Sequence, residues 1–263
     1  MSEALLAVHD LSVRFGGLTA LSGVTFSVAY GAVHGLIGPN GAGKTTAFNL
    51  ISGMTPQTSG SVALDGAPLD GLPTYMRTAR GLARTFQNIR MFREMSALEN
   101  VMAGAHLRTH ERFRDILLRL PAFRAQETRA VAQAREILDF VGLAHQAERP
   151  GGDLSYGEQR RLEIARALAS EPKLLMLDEP AAGMNPSEKI DLIDLIGKLR
   201  ARGLTLLLVE HDMHFVMKLC DRITVLNFGA KIAEGSPVDV RSDPTVIEAY
   251  LGSKVVRGPG ARA

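Results

Sequence analysis

At 263 residues the chain can bury a sizeable core as one large domain, or as one domain carrying an inserted lobe. Its 30 basic and 28 acidic residues leave a formal charge of +2, which offers no electrostatic case for a nucleic-acid partner. The single cysteine, Cys220, excludes an internal disulfide, and no apolar run approaches the ~20 residues of a membrane-spanning helix.

The opening MSEALLAVHDL carries an acid and no long apolar stretch, so it does not read as a secretory signal. Alternating polarity predicts strands over Leu6–Phe15 and Val24–Val28, with a turn at Tyr30-Gly31. Val33–Ile37 is a short apolar strand ending at Gly38, and Thr45–Ser52 reads as a helix stopped by Gly53. Ser61–Leu64 followed by Asp65-Gly66 reads as a strand and tight turn. Between about Asn88 and Pro150 the period becomes helical, over Leu98–Leu107 and Glu127–Val141. In the second stretch Val131, Ala134, Ile137, Leu138 and Val141 share one face, which suggests a helical lobe. Helices and strands then alternate: Ser155–Ser170, Lys173–Leu177, Ser187–Arg200, Leu204–Val209, Asp212–Leu219 and Ile223–Asn227. That alternation predicts an α/β core with a parallel sheet. The basic tail from Ser253, with two glycines and a proline, reads as disordered.

Two segments carry the chemistry. Gly38-Pro39-Asn40-Gly41-Ala42-Gly43-Lys44-Thr45 matches the phosphate-loop pattern G-x-x-x-x-G-K-[ST], between a strand and a helix. Its glycines let backbone N–H groups converge on a phosphate, and the helix end adds positive potential. Lys44 supplies a point charge for the β- and γ-phosphates, and the Thr45 hydroxyl is a Mg²⁺ ligand. Downstream, LLMLDE ends an apolar strand in two carboxylates, Asp178 for Mg²⁺ and Glu179 for polarising the attacking water. Leu154–Gln159 (LSYGEQ) opens an arginine-rich helix. Ser155 and Glu158 have capping-box spacing, and the same geometry suits an anion site, so both readings stand at this point.

Read together, these motifs resemble the ATP-binding-cassette (ABC) family over about residues 5–252. GPNGAGKT matches the phosphate loop, with Thr46 after it, and LMLDEP matches the acidic strand with its catalytic glutamate. Gln87 matches the family's Q-loop glutamine, LSYGEQ the signature, His211 the switch histidine and Phe15 the aromatic that stacks on adenine. The resemblance implies a P-loop NTPase core with an N-terminal antiparallel β subdomain and an α-helical lobe inserted at about 88–160. It implies ATP and Mg²⁺ as cofactors, with Thr45, Gln87 and Asp178 around the metal, and Glu179 and His211 as catalytic residues. It also implies a head-to-tail pair of cassettes. Each ATP then lies between one subunit's phosphate loop and the other's Ser155, Tyr156, Gly157 and Glu158. Two departures stand out: Tyr156 replaces a signature glycine, with Glu158 at the fifth position, and AAGMNP places Asn185 where an aspartate is common.

Longer stretches, RFGGLTAL, RTFQNIRMFREMSALENVMAGAH and VLNFGAKIAEGSPVDVRSDPTVIEAYLG, resemble the larger ATPase of branched-chain amino-acid importers. Urea, amide and other amino-acid importers share much of this pattern. The implied partners are a second ATPase subunit, identical or paralogous, two transmembrane permeases and, indirectly, a periplasmic or extracellular solute-binding protein. The implied location is the cytoplasmic face of the cell membrane. A soluble ABC ATPase acting on nucleic acid or ribosomes is the contrasting reading, opposed by a single cassette and near-neutral charge. A P-loop kinase would lack LSYGEQ. Arg108–Arg135 holds seven arginines and reads either as a solvated helix face or as an amphipathic segment near the membrane. His211 and His214 lack the further ligands that a zinc site needs.

Overall fold

Three pentapeptides, VHGLI, LLMLD and TLLLV, decide the architecture. Each is buried along its whole length, so it must be covered on both faces, as parallel strands inside layered α/β proteins are. The computed structural model describes residues 4–105 and 121–251. In it these segments are β3 (Val33–Ile37), β7 (Leu174–Asp178) and β8 (Thr205–Val209) of a six-stranded sheet. Its order is β10-β9-β3-β8-β7-β6, with β6 at Leu82–Arg84, β9 at Arg222–Asn227 and β10 at Ala230–Gly235. Every pairing is parallel except that of β10, which turns back on β9. A second, antiparallel sheet has the order β2-β1-β4-β5, from Ala4–Phe15 (β1), Leu18–Ala29 (β2), Ser59–Leu64 (β4) and Ala67–Pro68 (β5). The expected α/β class and N-terminal antiparallel sheet are both present.

The strand period of two divides the central residues between two cores. Leu174, Met176, Leu207 and Val209 join a core with the second sheet and helix α1 (Lys44–Ser52). Leu175, Leu177, Leu206 and Leu208 face the opposite core, which holds the helices of the inserted region. There α3 (Ala97–Gly104), α4 (Pro121–Phe140) and α5 (Tyr156–Leu168) pack on one another. Ala134, Leu138 and Val141 are buried in it, and Val131 and Ile137 pack against it, so the predicted stripe faces inward.

Several boundaries differ from the sequence reading. β2 starts at Leu18 rather than Val24, because its exposed first half pairs with β1. The short α2 (Thr74–Ala79), β6 and β10 escape periodicity altogether. Towards the C-terminus α6 (Pro186–Ala201) and α7 (Met213–Leu219) flank β8, and α8 (Pro237–Ser242) and α9 (Pro244–Leu251) close the described chain. The tail from Ser253 and residues 106–120, which hold the first part of the arginine-rich stretch, lie outside the described residues. Of that stretch, Arg129 is exposed and Arg135 pairs with Glu148 at 2.7 Å, both members largely exposed, so this end is a solvated face.

One buried titratable group ties stability to pH. His34 on β3 stacks on Phe26 at 5.5 Å between ring centroids, with Nε2 2.9 Å from Thr224 Oγ1. Burial lowers its pKa to about 4; Glu234 pulls it up, and Arg222 and Lys231 push it further down. The ring is thus neutral in the fold but titrates near 6.5 when unfolded. Its contribution is whole above pH 6.5 and is lost as the pH falls towards 4. The wild type is expected to lose about 2 kcal/mol through this group between pH 7 and pH 5. Urea midpoints at the two pH values should show that loss flattened in His34→Gln.

Candidate nucleotide site

The C-terminal ends of β3, β7 and β8 open on the same edge of the parallel sheet, where α/β proteins bind their ligands. Three motifs therefore meet there: the loop from Gly38, the pair Asp178-Glu179 and the pair Glu210-His211.

The chain leaves β3 at Gly38 with φ 153°, so close to β9 that a Cβ would lie 2.1 Å from the Leu226 carbonyl oxygen. Gly43, at φ 101°, occupies the N-cap position of α1 with no side-chain cap. The contrast with α3, α5, α6 and α8 is sharp, since each of those starts with a complete capping box. The first N–H groups of α1 are thus left for a ligand, and the helix dipole makes that ligand an anion. Lys44 begins this helix, starting it one residue before the expected Thr45. Its Nζ donates to the carbonyls of Gly38 at 2.7 Å and Pro39 at 3.0 Å, which brace the curve of the loop. Burial pushes the Lys44 pKa below its ordinary value, and Glu179 pulls it back up.

A cavity of about 490 Å³ lies over this loop, lined by Asn40–Thr46, Leu18–Ala20, Glu179, Phe228 and Gly229. Phe15, at the end of β1 and half exposed, is not among the lining residues. Phe228 is a lining residue that sequence reasoning missed: it is 90% exposed and sits at φ 45°, unusual for a bulky side chain. Its neighbour clamps the loop, because Gly229 N–H donates to the Ala42 carbonyl and Ser22 N–H to the Gly229 carbonyl. A larger cavity of about 920 Å³ between α4 and the end of α6 has no glycine loop or helix N-terminus in its lining, so its chemistry does not suit a polyphosphate.

Strand parity places Asp178 on the α1 side with Met176. It is buried there, 2.8 Å from the Arg84 guanidinium, and its N–H donates to Thr85 Oγ1. Glu179 turns out of the strand at φ 46°, and its Oε2 accepts from Gln87 Nε2 at 2.8 Å. His211 Nδ1 stands 3.9 Å from the same carboxylate and 3.7 Å from Glu210. Glu210 is a second residue that the sequence did not mark. Fully buried, it accepts N–H bonds from Ala181, His211 and Asp212, which ties the histidine to the segment after Glu179. Burial raises its pKa while those donors lower it.

The signature residues stand apart from this cavity. Ser155 caps α5 through a capping box with Glu158, so the cap reading holds in the structure while the exposed hydroxyl stays at a helix N-terminus. Tyr156 lays its ring against Gly183, where a Cβ would meet it at 3.3 Å, and its hydroxyl accepts from Arg160. Gly157 packs on Glu188, which itself closes the capping box of Asn185. Asn185 therefore acts as a neutral helix cap, and Tyr156 bridges the signature to the segment following Glu179. Thr45, Asp178 and Gln87 offer a hydroxyl, a carboxylate and an amide oxygen. This hard donor set suits Mg²⁺, which takes few protein ligands when phosphates supply the rest. Among the described residues no group of three or more His, Cys, Asp or Glu is placed to hold a metal ion.

Comparison with known proteins agrees with this geometry. A family profile described as "ABC transporter" matches residues 21–182, and one described as "Branched-chain amino acid ATP-binding cassette transporter" matches residues 230–256. The high-affinity branched-chain amino acid transport ATP-binding protein BraF of Pseudomonas aeruginosa is 48% identical over 253 residues, 96% of this chain and 99% of that protein. The corresponding LivG of Escherichia coli is 45% identical over the same shares of both chains. The ADP conformation of an ATP-binding cassette of an ABC transporter superposes with a TM-score of 0.82 at 32% identity, over 95% of this chain and 100% of that one.

Gly38→Ala is expected to unfold the loop's attachment to β9, because the clash is with backbone rather than with a flexible side chain. A thermal melt several degrees lower, together with loss of measurable binding of a fluorescent ATP analogue, checks this.

Proposed function

This chain belongs to the ATP-binding proteins of ABC transporters and is an ATPase, and from that premise we propose that it powers the import of branched-chain amino acids. The observation that carries the substrate class is the C-terminal segment 230–256, which follows the profile of the branched-chain amino-acid cassettes. We assign the ATP-binding domain to residues 5–252, with the lobe at about 88–160.

The geometry supports the following reading of the site residues. The N–H groups of Asn40–Thr46 and the Lys44 ammonium bind the β- and γ-phosphates. The base rests towards Leu18–Ala20, with Phe15 and Phe228 as the nearby aromatics. Mg²⁺, held by Thr45, Asp178 and Gln87, supplies charge neutralisation on the phosphates. Glu179 accepts a proton from the attacking water, and Gln87 and His211 fix where its carboxylate points. The products are ADP and phosphate. Ser155 and Gly157 act on the ATP of a second subunit, a reading supported by their position outside their own chain's cavity.

A groove of about 650 Å³ between core and lobe is lined by Arg84, Phe86, Arg90, Phe92 and Arg166, among others. It lies beside the segment leading to Gln87, so we assign it to a permease subunit. Docking there places the chain on the cytoplasmic membrane face; among the described residues no helix is long and apolar enough to cross a membrane. The solute-binding protein then acts through the permeases, and nucleic acid has no place in the scheme.

Glu179→Gln is expected to keep ATP affinity while hydrolysis falls by about 10²–10⁴-fold, read by steady-state phosphate release. Ser155→Ala should cripple turnover yet leave ATP binding to the isolated subunit intact; loss of that binding would refute the shared site. The substrate is tested by co-purifying the chain with its permeases in lipid. Leucine-, isoleucine- or valine-loaded binding protein should stimulate ATPase activity, and stimulation by urea or an amide instead would move the assignment.

A further inference from the structure

Arg84 is the residue on which three parts of the site converge. It ends β6, three positions before Gln87, and its side chain is 7% exposed. Nη2 donates to Asp178 Oδ2 at 2.8 Å. Nη1 donates to Asn49 Oδ1 at 2.8 Å and Ser52 Oγ at 2.9 Å, both in the last turns of α1. The guanidinium also stacks over Phe48 and Phe86, at 5.5 and 5.3 Å from their ring centroids. One planar group thus ties the far end of the phosphate-loop helix to the carboxylate at the end of β7. A point-charge lysine cannot make that fork.

The segment that Arg84 begins is anchored again at its other end. Phe86 N–H donates to Glu163 Oε1 at 3.1 Å, and Arg160 donates to the carbonyls of Phe86 and Gln87. Arg160 and Glu163 form a buried pair at 3.1 Å on the signature helix. Residues 84–87 are therefore a strap between Asp178 and α5.

We propose that Arg84 is a positioning residue for hydrolysis: it pins Asp178 through Oδ2, leaves Oδ1 for the nucleotide's Mg²⁺, and holds that geometry in register with α1 and the strap. The proposal rests on the reading of Asp178 as a metal-binding residue. A buried carboxylate without its cation would turn away towards whatever donor it found, and the metal would bind a misplaced ligand.

The test uses full-length protein and a fluorescent ATP analogue, titrated in excess EDTA and against rising Mg²⁺. Arg84→Met keeps the volume between Phe48 and Phe86. It is expected to raise the half-saturating Mg²⁺ at least fivefold, with affinity in EDTA within twofold of wild type. In hydrolysis kcat should fall with KM for ATP nearly unchanged. Should that variant not fold, Arg84→Lys answers the same question, with the same fivefold rise expected. An unchanged Mg²⁺ requirement alongside a lower melting temperature would make Arg84 a packing residue and overturn the proposal. A lower Mg²⁺ requirement would make it the metal's competitor and overturn it equally. Asp178→Asn separates the two claims: an unchanged Mg²⁺ requirement there removes the metal reading and the proposal together, whereas a raised one beside an unresponsive Arg84→Met removes only the role of Arg84.

Discussion

The phosphate-site groups of this protein depend on one constraint: strands buried on both faces must still deliver their ends to solvent. β3, β7 and β8 meet it by running parallel, so all three release their chains at one edge. The strand interiors can then be almost wholly apolar, and the chemistry is confined to the first residues beyond them. Strand parity adds direction, turning Asp178 towards α1. The positive φ at Glu179 then takes the next carboxylate out of the sheet.

Helix ends are the second organising element, through a difference in how they are finished. Among the described residues five helices begin with a side chain folded back onto their own N–H groups. α1 begins with a glycine that has no side chain to offer. The positive end at the sheet edge is thereby left open, while most of the others are met by their own side chains. Ser155 stands between these cases, since its hydroxyl serves its own helix while remaining accessible to a neighbour.

Much of this was legible in the sequence, and the remainder was hidden for identifiable reasons. The phosphate loop, the paired carboxylates and the central strands announce themselves by residue type at fixed spacing. The first half of β2 and all of β10 do not, because paired, partly exposed strands carry little periodicity. Arg84 and Glu210 read locally as ordinary charges beside a strand. Only the fold reveals that both are buried and bonded across 94 and 29 residues of chain, respectively. Tyr156 looked like a lapse in a glycine motif. The structure shows a ring occupying the space that Gly183 leaves open, with Arg160 satisfying its hydroxyl. Phe228 was overlooked because nothing in LNFGA sets it apart from a hairpin turn.

The hydrogen bonds of Lys44 fix where its charge stands. Its ammonium donates to two carbonyls of its own loop, which leaves the third of its three donors for a phosphate oxygen. A triphosphate laid along the loop therefore meets a cation that is already aimed. The loop is in this sense preorganised: part of the conformational freedom that binding would otherwise remove is already lost in folding.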